Sequence, residues 1–155
     1  VAALPPRSTL LPVTALLRTM PAALATRFVV RYLMGVPAEA AQQASEVIDS
    51  AEELEISGIA LAETAFVLTT VYQVPRDRAA DQLIDLVRKE NISLTGLTKD
   101  LAIQGLLMCR PSGRVSFADA LIWAAARSGG SDVVYSFDSR FPGDRLEVRR
   151  SADGP

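Results

Sequence analysis

Three carboxylates stand in unusual settings. Glu63 is the single charge in the apolar run 56–72, Asp119 follows Ser116 in a Ser-x-x-Asp spacing, and Asp138 directly follows the run Val133, Val134, Tyr135, Ser136, Phe137. Carboxylates gathered at one place are oxygen ligands for a hard cation such as Mg²⁺ or Mn²⁺, which then offers a bound water as nucleophile. Composition narrows the chemistry toward this. With no histidine there is no Ser-His-Asp or Cys-His pair, no imidazole base and no His-ligated zinc. Cys109 is the one cysteine, which excludes an internal disulfide and multi-cysteine metal sites. The balance of 16 basic and 18 acidic residues, net charge −2, argues against nucleic-acid binding by bulk charge but leaves contact through a metal open. All basic residues except Lys89 and Lys99 are arginine, a bias that follows genome composition and also suits bidentate phosphate contacts.

Each carboxylate has a second reading. On a helix, Glu63 has Ile59, Phe66 and Val67 as neighbours and points along an apolar face. A carboxylate buried there needs a proton, a metal or a cationic partner, or must reach the surface. Asp119 completes a capping box with Ser116, so a helix cap accounts for it as well as a ligand does. Asp138 lies at the carboxyl end of a strand, where ligands collect in open α/β sheets, yet an Asx-turn into Ser139 and Arg140 explains it too.

The elements that must position these residues alternate along the chain. Residues 1–24 hold Pro5, Pro6, Pro12 and Pro21, no acidic residue and no clear period, and are expected to form an irregular extension. Strands are expected over 22–26, 54–57, 92–94 and 133–137, with an edge strand over 146–148. Helices are expected over 28–34, 38–53, 58–72, 75–90, 98–109 and 116–127. Short strands alternating with longer helices predict one α/β domain over 25–150 with a short, mainly parallel central sheet, and a tail over 151–155. The apolar stretch 8–24 is broken by Pro12, Arg18 and Pro21, short of the ~20 clean residues of a membrane span. A soluble, cytoplasmic protein with no membrane partner is expected.

Leu61-Ala62-Glu63-Thr64-Ala65-Phe66, Phe117-Ala118-Asp119-Ala120-Leu121 and Ser136-Phe137-Asp138-Ser139-Arg140-Phe141, with Arg31-Tyr32-Leu33 near the start, resemble the PIN-domain family over residues 25–150. Among its members they resemble the VapC-type toxins of bacterial toxin–antitoxin pairs. The resemblance implies a three-layer α/β/α sandwich that binds Mg²⁺ or Mn²⁺ and hydrolyses RNA phosphodiesters. It makes Glu63, Asp119 and Asp138 the second, third and fourth acidic positions, and Ser136 the small hydroxyl residue that positions water or supports the ligands. Arg140 is a candidate phosphate contact, with a solvated loop arginine as the alternative. A VapB-type antitoxin and a homodimer are the implied partners, with 28–33 and 38–51 as candidate partner surfaces beside their role in the core.

One position departs from the family pattern. Where an Asp ends the first strand, this chain has Ala25, followed by Thr26 and Arg27, and Asp49 lies too far along the next helix to replace it. Two accounts follow: a degenerate domain that keeps fold and partner binding, or a start or reading-frame artefact that ends near Arg27, which resequencing the 5′ end of the gene separates. A third class, another Mg²⁺-dependent α/β phosphohydrolase, would need an Asp nucleophile at the same place.

Overall fold

The computed structural model describes residues 20–111 and 115–154. Strand β1 is Ala22–Ala23, followed by helices α1 (Thr26–Met34) and α2 (Ala38–Ile48) and strand β2 (Leu54–Ser57). Helix α3 (Gly58–Phe66) runs into a wider π-type turn over Val67–Val71, then α4 (Arg76–Arg88) and β3 (Ile92–Thr95). Helices α5 (Lys99–Met108) and α6 (Phe117–Ser128) lead to β4 (Val133–Tyr135), and β5 (Glu147–Arg149) closes the fold.

All the strands pair in parallel, in the order β1-β2-β3 and, separately, β4-β5. Parallel neighbours cannot be joined by a tight hairpin, and helical crossovers make most of the connections here. In the central strand β2, Leu54 and Ile56 are fully buried while Glu55 and Ser57 are half-buried, the period of two that a pleated strand imposes. The helices cover the sheets in the expected PIN-like three-layer α/β/α sandwich. The sheet is less continuous than the sequence suggests. Ala has low strand preference, and β1 is only two residues long, set between Pro21 and the start of α1.

Several boundaries differ for local reasons. The first strand, expected over 22–26, stops at Ala23, and α1 begins at Thr26. Its residues Ala22 and Ala23, paired with Leu54 and Glu55, and the buried Leu24 belong to the fold rather than to an irregular extension; residues 1–19 of that extension lie outside the described residues. Helix α2, expected to reach 53, stops at Ile48 because Ser50 Oγ donates to the Val47 carbonyl and accepts from the Glu52 N–H. The Asn91 side-chain amide then donates to the carbonyls of Ile48, Ser50 and Glu52, tying that turn to the start of β3. Asp49, at the end of α2, accepts from Tyr32 Oη at 2.7 Å and Lys89 Nζ at 2.9 Å.

Helices α5 and α6 pack closely through Gly105. A Cβ at that position would sit 2.7 Å from the Ala120 carbonyl oxygen, so only glycine permits this approach. Trp123 on α6 is buried and its Nε1–H donates to the Asp144 carbonyl at 2.9 Å, fastening the loop between β4 and β5 to the helix. Phe141 and Leu146 anchor the same loop in the core.

Candidate functional site

Chain direction brings the candidate carboxylates toward the carboxyl ends of the strands. Thr26 follows β1, Glu63 lies in the second turn of the helix that follows β2, and Asp138 follows β4. Asp119 is in the first turn of α6, which packs against α3. A groove of about 830 Å³ lies between these helices, lined by Ser57 and Thr95 from the strand ends and by Ile59, Ala62, Leu121 and Ile122. Glu63 forms its edge and also lines a smaller cleft of about 400 Å³ with Thr26, Arg27, Arg31 and Tyr72.

Glu63 is not buried. The apolar face along which it points is itself open to solvent: Ile59 is 81% and Phe66 61% exposed. Its carboxylate therefore needs no neutralising partner, and it accepts one hydrogen bond, from Thr26 Oγ1 at 2.7 Å. Thr26 is the neighbour that sequence reasoning missed. Its role comes from a contact 37 residues apart, which no local pattern signals.

At Asp119 the two readings separate by atom. Ser116 Oγ accepts from the Asp119 backbone N–H at 3.0 Å, so Ser116 is the helix cap. The half-buried Asp119 carboxylate accepts no hydrogen bond among the described residues. It is a negative group at a helix N-terminus, stabilised there by the dipole and free to face a ligand.

At Asp138 the turn geometry is present. Its Oδ1 accepts from the Arg140 backbone N–H at 2.8 Å, and the Arg140 guanidinium donates through Nε and Nη2 at 3.2 and 3.4 Å. These bonds, the backbone one foremost, hold the Asp138 carboxyl below the usual carboxylate range. Ser136 Oγ accepts from the Asp138 N–H at 3.1 Å, so Ser136 shapes the turn that presents the acid. Arg140 is exposed and its charge is held chiefly by Asp138, with Asp119 adding attraction. It is an internal counter-cation to the acids rather than a free loop arginine.

Ala25 is exposed and stands at the N-cap of α1 with no side-chain cap bond and no acidic residue in the first turn. Its neighbour Thr26 already touches Glu63. A carboxylate at position 25 would supply the cap that α1 lacks.

Oxygen ligands are the right chemistry for a hard cation, but these residues do not complete a site for one. Among the described residues no three of His, Cys, Asp and Glu are grouped closely enough to hold a metal ion, with Glu63 engaged by Thr26 and Asp138 by Arg140. Also among them, no helix is long and apolar enough to cross a membrane.

Comparison with curated proteins gave no match. The family model described as the PIN domain matches residues 24–143, from the end of β1 to the loop after β4. That span holds Glu63, Asp119 and Asp138, and the chain belongs to the PIN-domain family, a nuclease-type family whose members generally depend on divalent metals.

Proposed function

We propose that this PIN domain is a cytoplasmic, VapC-type endoribonuclease toxin whose hydrolytic centre, as the chain stands, is one carboxylate short. The observation that carries the reading is Ala25: it stands between β1 and α1, at the N-cap of α1 and next to the Thr26 that bonds Glu63. Glu63, Asp119 and Asp138 are the proposed Mg²⁺ or Mn²⁺ ligands once that position is acidic, and Ser136 sets the Asp138 turn. A cognate VapB-type antitoxin and a second copy of the chain are the proposed protein partners, supported by the exposed Ile59 and Ile122 that line the apolar groove.

A second reading, a non-catalytic module that keeps antitoxin binding or regulation, is favoured by the Arg140–Asp138 pairing, which occupies an acid with an internal cation. One experiment separates them. Purified protein is incubated with structured RNA and Mn²⁺, alongside Ala25→Asp and Ala25→Asp combined with Asp119→Asn. We expect Ala25→Asp to raise metal-dependent cleavage by at least roughly 10-fold, since even groups that only orient a ligand contribute that much, and Asp119→Asn to abolish the gain. The same substitution should stabilise the fold by about 0.5–2 kcal/mol as a new helix cap, visible in thermal unfolding whether or not activity returns. A capped, more stable Ala25→Asp protein without cleavage would leave the non-catalytic module standing.

A further inference from the structure

Tyr135 and Phe137 are 62% and 88% exposed, and they flank the residue that sets the Asp138 turn. Val134 packs against the core, whereas Tyr135 at the end of β4 and Phe137 two residues further on stay open to solvent. The Ser136 N–H bonds the Arg149 carbonyl at 3.0 Å, so the extended ladder continues past the end of β4 toward Phe137. Burial therefore explains Val134 and leaves the two rings unexplained. Both ends of the ring pair are flanked by guanidinium groups. Arg149 stands opposite Tyr135 in the β4–β5 register, and Arg140 lies three residues beyond Phe137.

We propose that Tyr135 and Phe137 form a stacking platform for unpaired bases of single-stranded RNA, with Arg140 and Arg149 facing the phosphates on either side. The proposal rests on the RNA-directed reading above and names the part of the substrate this face takes. Every base has a π face, so such a platform tolerates sequence and favours strands without secondary structure. Guanidinium groups meet phosphate bidentately and stack on rings as well. Both arginines are now paired with carboxylates two residues away, Asp138 and Glu147, so a phosphate would compete with these partners for the guanidinium groups. Phe137 is one residue from Asp138, so a base stacked on it would carry its phosphate to the acidic end of the strand.

The test is binding of a 5′-labelled single-stranded oligonucleotide RNA to the full chain in EDTA, read by fluorescence polarisation, so hydrolysis plays no part. Phe137→Ala and Tyr135→Ala should each weaken binding about 5- to 100-fold, as loss of one stacked base does. Phe137→Trp should retain affinity, whereas Phe137→Leu, apolar but without a π face, should lose it. An abasic ribose-phosphate strand should bind the parent as weakly as the intact strand binds the variant carrying both Tyr135→Ala and Phe137→Ala. No binding by the parent, unchanged affinity in Phe137→Ala, or full affinity in Phe137→Leu would overturn the platform. So would a change in sedimentation of Phe137→Ala with RNA affinity unaltered, because the rings would then serve a protein interface. Failure of the Ala25→Asp cleavage test with ring-dependent binding intact would remove the nuclease reading alone.

Discussion

Arg140 and Asp49 show how single side chains decide what the acids can do. The Arg140 guanidinium lies on Asp138 and is attracted by Asp119, so a divalent cation approaching these carboxylates meets a resident positive charge. Replacing it by a neutral amide, Arg140→Gln, should tighten Mn²⁺ binding in the Ala25→Asp background by less than about fivefold in calorimetric titration, a modest gain because exposed ion pairs are weak. Arg140→Lys, which keeps the charge, should show less of it. Asp49 is far from that chemistry and acts through stability. The Lys89 ammonium first, and the Tyr32 hydroxyl second, hold its carboxyl below the ordinary value. A depressed native value means stabilisation that is present above the unfolded value near 4 and is lost as pH falls from there through the lower native value. Asp49→Asn should therefore cost about 0.2–1 kcal/mol at neutral pH and flatten the fall in Tm on acidification. The identities of Glu63, Asp119 and Asp138 as residues of interest were legible from their neighbours in the chain. The exposure of Glu63 was not. An apolar run states what a helix carries and leaves open which of its faces other elements will cover, and the Ile59–Phe66 face is left open.

At the scale of elements, positions were legible and ends were not. Helix periodicity placed α2 to α6, whereas the stop at Ile48 came from the Ser50 hydroxyl and the Asn91 amide, short-range polar bonds that no hydrophobic period encodes. The strand over 133–137 was found, but only Val133–Tyr135 pairs as strand, because Ser136 and Asp138 divert the backbone into a turn. The seam between α5 and α6 depended on a residue with no motif around it. Since a methyl at position 105 would meet the Ala120 carbonyl at 2.7 Å, Gly105→Ala must push the helices apart. Overpacking of this kind costs about 1–3 kcal/mol, and the lowered Tm should be accompanied by displacement of Asp119, one residue from the contact. The measurement is thermal unfolding together with Mn²⁺ titration in the Ala25→Asp background. A loss of stability with unchanged metal affinity would show that α6 can shift without moving its acid.

For the molecule as a whole, the alternation of short strands and longer helices was enough to give an α/β class with a mainly parallel sheet, and the residue motifs pointed to the family and through it to three layers. The division into β1-β2-β3 and β4-β5 was beyond reach, because pairing between distant strands depends on register and length rather than on composition. The result is an acid-bearing turn that hangs on the smaller sheet. It is joined to the body by the loop through Phe141, Leu146 and the Trp123 hydrogen bond to Asp144. Trp123 is the single tryptophan of the chain. The indole that fastens the Asp138 loop is thus also a built-in optical reporter: its emission responds to the polarity at that one clamp. A shift on adding nucleotide or cation would read loop displacement directly, with no label and no background from a second indole.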